Sequence, residues 1–349
     1  MAAAHILTYA RTLTGGGVER AMLRLAAGWL AAGRRVTLVI GTAEGPLAAE
    51  IPPGAELVEL GSTRYRALFA LPAIVRDRQP DLLFCPGNYY TGVAAWTRLR
   101  LGRAAPPIVA KMSNAPERDD HGAAFAAANR AWLAQHRRFL DHLVAMTPAT
   151  ATAAAAALHM AGRISVIPNP PARAILGAPP PPLPAGRVIL GVGRLAPQKR
   201  WDRLIAAMPT LAPDVALVIL GEGPLRTALE AQVATLGLQS RVSLPGHAAD
   251  PIGAMARVTM VALTSDFEGV PGVLREALSV GTPVVATRSS AAVDEIVTDS
   301  SLGSIVARDD PAALATALAR RLDLPRPSPV APPGADSAAR YLDLFDRLV

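Results

Sequence analysis

A chain of 349 residues is long enough for two domains, because single hydrophobic cores usually stop growing before that length. Apolar residues make up 51% and charged residues 18%, which excludes bulk disorder, and the single cysteine, Cys85, excludes an intrachain disulfide. The formal charge of +7 is unevenly placed: residues 1–185 hold 19 basic and 11 acidic side chains (net +8), whereas residues 186–349 hold 16 and 17 (net −1). The first half therefore suits an anionic partner, such as nucleic acid, a phospholipid surface or a phosphorylated acceptor. Codon bias in an arginine- and alanine-rich chain is the alternative. With no secretory apolar run at the start and no uninterrupted membrane-spanning stretch, a cytosolic protein is expected.

In chain order, His5 to Tyr9 reads as a short buried strand, followed by the loop Gly15-Gly16-Gly17. Helical spacing of Val18, Met22, Leu25, Ala26 and Trp29 then predicts a helix from Val18 to Leu30. Arg35 to Ile40 is a second strand. Strand, helix, strand within about forty residues is the grammar of a parallel sheet with helical crossovers. It continues through a strand at 56–60, a helix at 67–78, a strand at 81–85 and a Gly/Asn/Tyr loop at 86–92. Strands at 108–112, 143–146 and 164–168 follow, with a long helical stretch between Glu117 and Asp141. Prolines clustered at 170–171, 179–182 and 184 then mark a boundary, since proline removes a backbone donor and resists element interiors. The grammar restarts with strands at 187–192, 215–220, 242–244, 258–263, 284–286 and 304–306, and helices at 201–208 and 225–236. A final amphipathic helix runs from Ser337 to Val349.

In such sheets ligands gather at the carboxyl ends of strands, where glycine loops meet helix amino termini. Four loops hold that position. The glycine triplet before Val18-Glu19-Arg20 could admit an anion or be a plain tight turn, and it lacks the spacing of a dinucleotide fingerprint. In Gly193-Arg194-Leu195-Ala196-Pro197-Gln198-Lys199-Arg200, one of only two lysines in the chain stands near Arg194. Two cations there could clamp a diphosphate or be merely solvated. Gly221-Glu222-Gly223-Pro224 is a close approach or a turn. The richest loop begins at Ser265 and carries Glu268 before, and Glu276 within, a helix entered near Val273. Both carboxylates could recognise hydroxyls in one crevice.

On these residues the sequence resembles glycosyltransferase family 4, retaining enzymes of the GT-B fold. The resemblance is carried by GGGVER at 15–20, VIPNP at 166–170, GRLAPQKRWDRLIAA at 193–207, VILGEGPLRTALE at 218–230 and SDFEGVPGVLREALSVGTPVVAT at 265–287. It implies an α/β fold of two Rossmann-like domains facing a central cleft. Residues 1–170 would be an acceptor domain, 171–186 a proline-rich linker, 187–333 a donor domain and 334–349 a helix crossing back to the first. It also implies transfer of a hexose-type sugar from a nucleoside-diphosphate sugar, with no obligatory metal, to a saccharide, phosphorylated or lipid-linked acceptor in envelope or polysaccharide synthesis.

By the same resemblance Arg194 and Lys199 hold the diphosphate, Glu268 faces the sugar and Glu276 binds ribose. Gly16 and Gly17 close near the phosphates, and Gly221, Gly269 and Val270 join the donor contacts. The family often places a histidine after a first-domain strand; here Lys111-Met112-Ser113-Asn114 stands near that position, leaving Lys111, Asn114 or His121 as substitutes. The family's glycine-rich stretch after the last motif is replaced by residues 288–296. An anionic membrane surface would suit the basic first half, with Trp132 and Phe139 on a helix at 125–142 as contacts; the blander reading places those aromatics in the interdomain core. The other readings are an inactive sugar-nucleotide-binding scaffold and an epimerase. A nucleic-acid partner is not expected, because no interleaved aromatic platform accompanies the charge.

Overall fold

A computed structural model describes residues 2–14, 16–114, 122–172, 174 and 181–349. The chain divides into two units, Met1–Pro170 together with Pro333–Val349, and Pro171–Pro332.

The first unit contains β1 (His5–Ala10), α1 (Gly17–Ala31), β2 (Arg35–Ile40), β3 (Glu56–Glu59), α2 (Leu71–Arg78), β4 (Leu82–Cys85), α3 (Thr91–Leu101), β5 (Ile108–Lys111), α4 (Ala123–Gln135), β6 (His142–Ala145), α5 (Pro148–Leu158) and β7 (Ile164–Val166). The second contains β8 (Arg187–Val192), α6 (Trp201–Ala207), β9 (Val215–Leu220), α7 (Arg226–Thr235), β10 (Val242–Gly246), α8 (Pro251–Met255), β11 (Met260–Leu263), α9 (Gly272–Ser279), β12 (Val284–Thr287), α10 (Ala291–Ile296), β13 (Gly303–Val306) and α11 (Pro311–Leu322). The last helix, α12 (Ser337–Asp346), belongs to the first unit.

All strand pairs among the described residues are parallel. The first sheet runs β3-β2-β1-β4-β5-β6-β7 and the second β10-β9-β8-β11-β12-β13. Each is doubly wound, reversing direction beside its first strand: between β1 and β4, and between β8 and β11. Central strands such as β1, β4, β5, β11 and β12 are buried along their whole length. Helices cover both faces of a parallel sheet, so these strands read as continuous apolar runs instead of alternating ones.

Three sequence expectations need correction. The helix expected at 67–78 is a 3-10 turn, Tyr65–Ala70, followed by α2. Pro72 has no N–H to donate and fits only in a first helical turn, so the α-helix starts there. The loop at 86–92 narrows to a 3-10 turn at Asn88–Tyr90 that runs directly into the unforeseen α3. The stretch 117–141 contains α4 and a 3-10 turn at His136–Arg138, while residues 115–121 lie outside the described residues. The alanine-rich α5 also escaped the periodicity argument. Its start is set by Pro148 and a capping box in which Thr147 Oγ1 accepts from Thr150 N at 3.2 Å and Thr150 Oγ1 accepts from Thr147 N at 3.0 Å.

Helix α12 completes the first unit's core. Trp29 of α1 meets Phe84, Tyr341 and Phe345 edge-on, with centroids 5.3, 6.1 and 5.3 Å away. All four rings are fully or almost fully buried, and edge-to-face pairs add to the area each removes from water. Asp346 accepts from Ala3 N and from the Arg34 guanidinium, both at 2.7 Å. Ser337 Oγ donates to Pro168 O at 2.6 Å. The helices touch where α1 has no side chain, since a Cβ on Gly28 would lie 2.4 Å from the Ala338 Cβ. A valine at position 28 must push α12 away, so Gly28→Val is expected to cost about 2 kcal/mol in a urea titration. An unchanged midpoint would show that the α1–α12 contact is dispensable.

Candidate functional site

In the second unit the switch point between β8 and β11 gathers most of the residues singled out from sequence. Strand β8 ends at Val192 and enters a loop whose turn at Gly193 has φ +156°. A side chain there would press on Lys199 Cε and Trp201 Cζ2, at 3.2 and 3.3 Å. Behind it the loop after β9 stacks backbone on backbone: a Cβ on Gly221 would sit 2.0 Å from Gly193 O, and one on Gly223 2.4 Å from Leu195 O. Gly221 is thus accounted for by the seating of one loop on the other.

Strand β11 delivers the opposing loop. Lys199 Nζ meets Glu268 Oε1 at 2.6 Å, and Ser265 Oγ donates to the same oxygen at 2.6 Å. The Glu268 backbone N–H donates to Ser289 O at 3.0 Å. The two side chains of the ion pair are 19% and 10% exposed, so it is largely withdrawn from water. Such a pair persists only where hydrogen bonds satisfy it. Among the described residues Glu268 Oε2 accepts no hydrogen bond, and that oxygen remains open to a hydroxyl group.

A polar latch holds the two loops in register. Thr264 Oγ1 donates to Lys199 O and Arg200 O at 3.1 and 2.9 Å. Asp266 N donates to Gln198 O at 2.9 Å, and Gln198 Nε2 to Phe267 O at 2.8 Å. Arg203 pairs with Asp266 at 2.6 Å. Arg200, in the left-handed region at φ 49°, bonds Asp202 and Asp266. Sequence reading named Ser265 only as the start of the loop and missed Thr264 and this latch. The available signal was a Thr-Ser-Asp run immediately after an apolar strand.

Arg194 and Lys199 differ in their surroundings. The Arg194 side chain is exposed and has no ion-pair partner among the described residues, whereas Lys199 is held by Glu268. Glu276 lies in the second turn of α9, half-buried, with Oε1 3.8 Å from where a Cβ of Gly272 would be. Its carboxylate therefore leans toward the helix start. Gly269 is buried and its carbonyl accepts from Ser290 Oγ at 2.8 Å; Val270 is half-buried beside it.

Gly16 and Gly17 belong to the first unit, and Gly15 lies outside the described residues. Gly16, at φ +155°, precedes α1. A Cβ there would meet Glu19 Oε2 at 2.5 Å, and Glu19 Oε1 accepts from Tyr90 OH at 2.7 Å. This helix start thus already faces a carboxylate, the charge its dipole favours.

The first unit also holds a cavity of about 230 Å³ beside β5 and α4, lined in part by Lys111, Asn114, Trp132 and His136. His121 is outside the described residues. Phe139, read from sequence either as a surface contact with Trp132 or as core, is buried and stacks on Trp132 at 5.7 Å, while Trp132 is 39% exposed. Among the described residues no group of three His, Cys, Asp or Glu side chains is placed to hold a metal, and no helix is long and apolar enough to cross a membrane.

Two doubly wound units, the second with an acid–base pair at its switch point, define a GT-B-type α/β protein. The family model described as Glycosyltransferase Family 4 matches residues 15–170, and that described as Glycosyl transferases group 1 matches residues 186–323. The chain belongs to glycosyltransferase family 4.

Among its relatives is the N-acetylgalactosamine-N,N'-diacetylbacillosaminyl-diphospho-undecaprenol 4-alpha-N-acetylgalactosaminyltransferase of Campylobacter jejuni. The two are 38% identical over 124 residues, 36% of this chain and 34% of that protein. The GDP-mannose-dependent alpha-(1-6)-phosphatidylinositol monomannoside mannosyltransferase of Mycolicibacterium smegmatis is 37% identical over 153 residues, 40% of this chain and 39% of that protein. The matched segments thus span only about a third to two-fifths of these relatives' length. The crystal structure of Anabaena HepE with UDP and glucose shares the fold with a TM-score of 0.71 at 19% identity, covering 98% of this chain and 95% of that one.

Proposed function

We propose that this chain is a retaining glycosyltransferase that moves a hexose-type sugar from a nucleoside-diphosphate sugar to a hydroxyl of a saccharide, phosphorylated or lipid-linked acceptor. The observation that carries the reading is the Lys199–Glu268 pair at the β8/β11 switch point, with the second carboxylate oxygen open and Arg194 exposed nearby. In this reading Arg194 and Lys199 neutralise the diphosphate. Lys199 has three N–H donors, so it can keep Glu268 while gaining a phosphate oxygen. Glu268 Oε2 takes a sugar hydroxyl and orients the anomeric carbon, and Glu276 takes the ribose hydroxyls. Gly269 and Val270 let the backbone approach the donor, and Gly221 acts indirectly by seating the loop after β9 on the loop that carries Arg194.

Transfer then needs only a stabilised leaving phosphate and a hydroxyl held close on the same face. The phosphate oxygen receives the acceptor proton, and no carboxylate acts as a glycosidase nucleophile. The donor diphosphate is placed by side-chain cations, without an obligatory metal. Envelope or polysaccharide synthesis fits the two relatives above, whose names specify lipid-bound, phosphate-bearing acceptors. With such an acceptor the protein works in the cytoplasm at the face of the inner membrane.

A screen of nucleoside-diphosphate sugars with mixed lipid and saccharide acceptors tests this, following diphosphate release, product mass and anomeric configuration. A product of retained configuration is expected. Tight donor binding without turnover on any acceptor would favour the scaffold reading, and an inverted product would remove the retaining assignment.

A further inference from the structure

The cavity in the first unit has a chemistry of its own. Among its lining residues is Lys111, the last residue of β5, 1% exposed. The chain has two lysines, and they are paired differently: Lys199 has a carboxylate, whereas Lys111 Nζ donates to the neutral amide oxygen of Asn169 at 3.2 Å. Among the described residues Lys111 has no ion-pair partner, and none of the side chains lining the cavity is acidic. Glu19 on α1 favours the charged amine without pairing with it, so the buried ammonium stays costly and a bound anion would supply a direct counter-charge.

The walls suit a sugar. Asn88 is occupied in shaping the turn after β5: its Oδ1 accepts from Ser113 N at 2.6 Å and from Asn114 N at 3.3 Å, while its Nδ2 donates to Asn114 O at 3.3 Å. That turn presents Asn114 to the cavity. Opposite, His136 Nδ1 lies 3.1 Å from Trp132 O, and burial holds its imidazole below the usual histidine range. The neutral ring that donates through Nδ1 keeps Nε2 as an acceptor for a hydroxyl. Trp132 adds an indole wall, braced on one face by Phe139. The cavity thus combines one cation, amide and imidazole groups and an aromatic surface around a volume of about 230 Å³.

We propose that this cavity takes the charged unit of the acceptor, a sugar bearing a phosphate or carboxylate, with Lys111 as its counter-ion and Trp132 against its ring. The assignment to an acceptor rests on the transferase reading above. The class of ligand rests on the cavity alone.

Calorimetric titration of the full chain with glucose 6-phosphate, glucuronate, glucose and inorganic phosphate tests it, in wild type, Lys111→Met and Trp132→Ala. At least one charged sugar is expected to bind ten or more times tighter than glucose. That margin should vanish in Lys111→Met, while Trp132→Ala weakens charged and neutral sugars alike. Equal binding of charged and neutral sugars, a margin that survives in Lys111→Met, or inorganic phosphate binding as tightly as glucose 6-phosphate overturns the proposal. A preference for phosphate over carboxylate, or the reverse, says which anion the acceptor carries. Nucleotide binding by the wild-type chain is measured separately. If it is absent while the charged-sugar margin stands, the transferase reading fails alone; if it is present without the margin, the acceptor inference fails alone.

Discussion

Replacing Glu268 by alanine is expected to lower kcat/KM for sugar transfer by about a hundred- to a thousandfold, the loss seen when one preorganised polar group is taken from a developing charge. Lys199→Ala should fall in the same range, because the two side chains share a 2.6 Å contact and each fixes the other's position. The double variant should therefore be little worse than either single one, since residues that act as a unit are strongly non-additive. Folding needs a parallel measurement. Lys199→Ala leaves a largely buried carboxylate with Ser265 Oγ as its remaining side-chain partner, so a lower melting temperature is expected for that variant. Glu268→Gln keeps the shape and removes the charge. A Glu268→Gln chain that folds like wild type and transfers sugar at near wild-type rate would contradict the role given to this carboxylate.

The second large effect is on stability. Burial pushes the Lys111 amine down from 10.5 to about 8, against opposing influences from Glu19 on α1 and Cys85 on β4. A folded value below the unfolded one means that the unfolded chain binds more protons between about pH 8 and 10.5. Stability therefore rises with pH across that window, and the penalty of the buried charge is fully present below about pH 8. The gap corresponds to about 3 kcal/mol at neutral pH. Lys111→Met is expected to be more stable than wild type by about 2 to 3 kcal/mol in urea titrations at pH 7, with the gain largely gone near pH 10.5. The comparison belongs in a buffer without phosphate or carboxylate, because an anion bound to the native wild type would hide the gain by mass action. A Lys111→Met chain less stable than wild type at pH 7 would mean that the amine contributes packing or hydrogen bonding worth more than its desolvation.

These variants probe features that were unequally visible in the sequence. Strands β2, β8 and β9 have the bounds that their apolar runs foretold, because a strand buried on both faces has no other way to read. Helix α5 left no periodic signal, since eleven residues drawn mostly from alanine and threonine can form a helix without marking a buried face. Pro72 was legible as a helix start only in hindsight, because apolar residues continue on both sides of it.

At the switch point the residue types were readable, and so was their order: Arg194, Lys199, Glu268 and Glu276 stand in motifs whose spacing places them on loops after strands. Partnership was not readable. Sequence set Arg194 and Lys199 five residues apart on one loop, but it did not show that Lys199 meets a glutamate sixty-nine positions away while Arg194 stays exposed. The contrast between the two lysines has the same origin. Sequence by itself determined the two α/β units and the chemical groups at strand ends, because periodicity and turn chemistry are local. Only the tertiary structure decided which charge meets which, because a parallel sheet orders its strands through crossovers that bring β8 beside β11 and Lys111 beside a neutral amide.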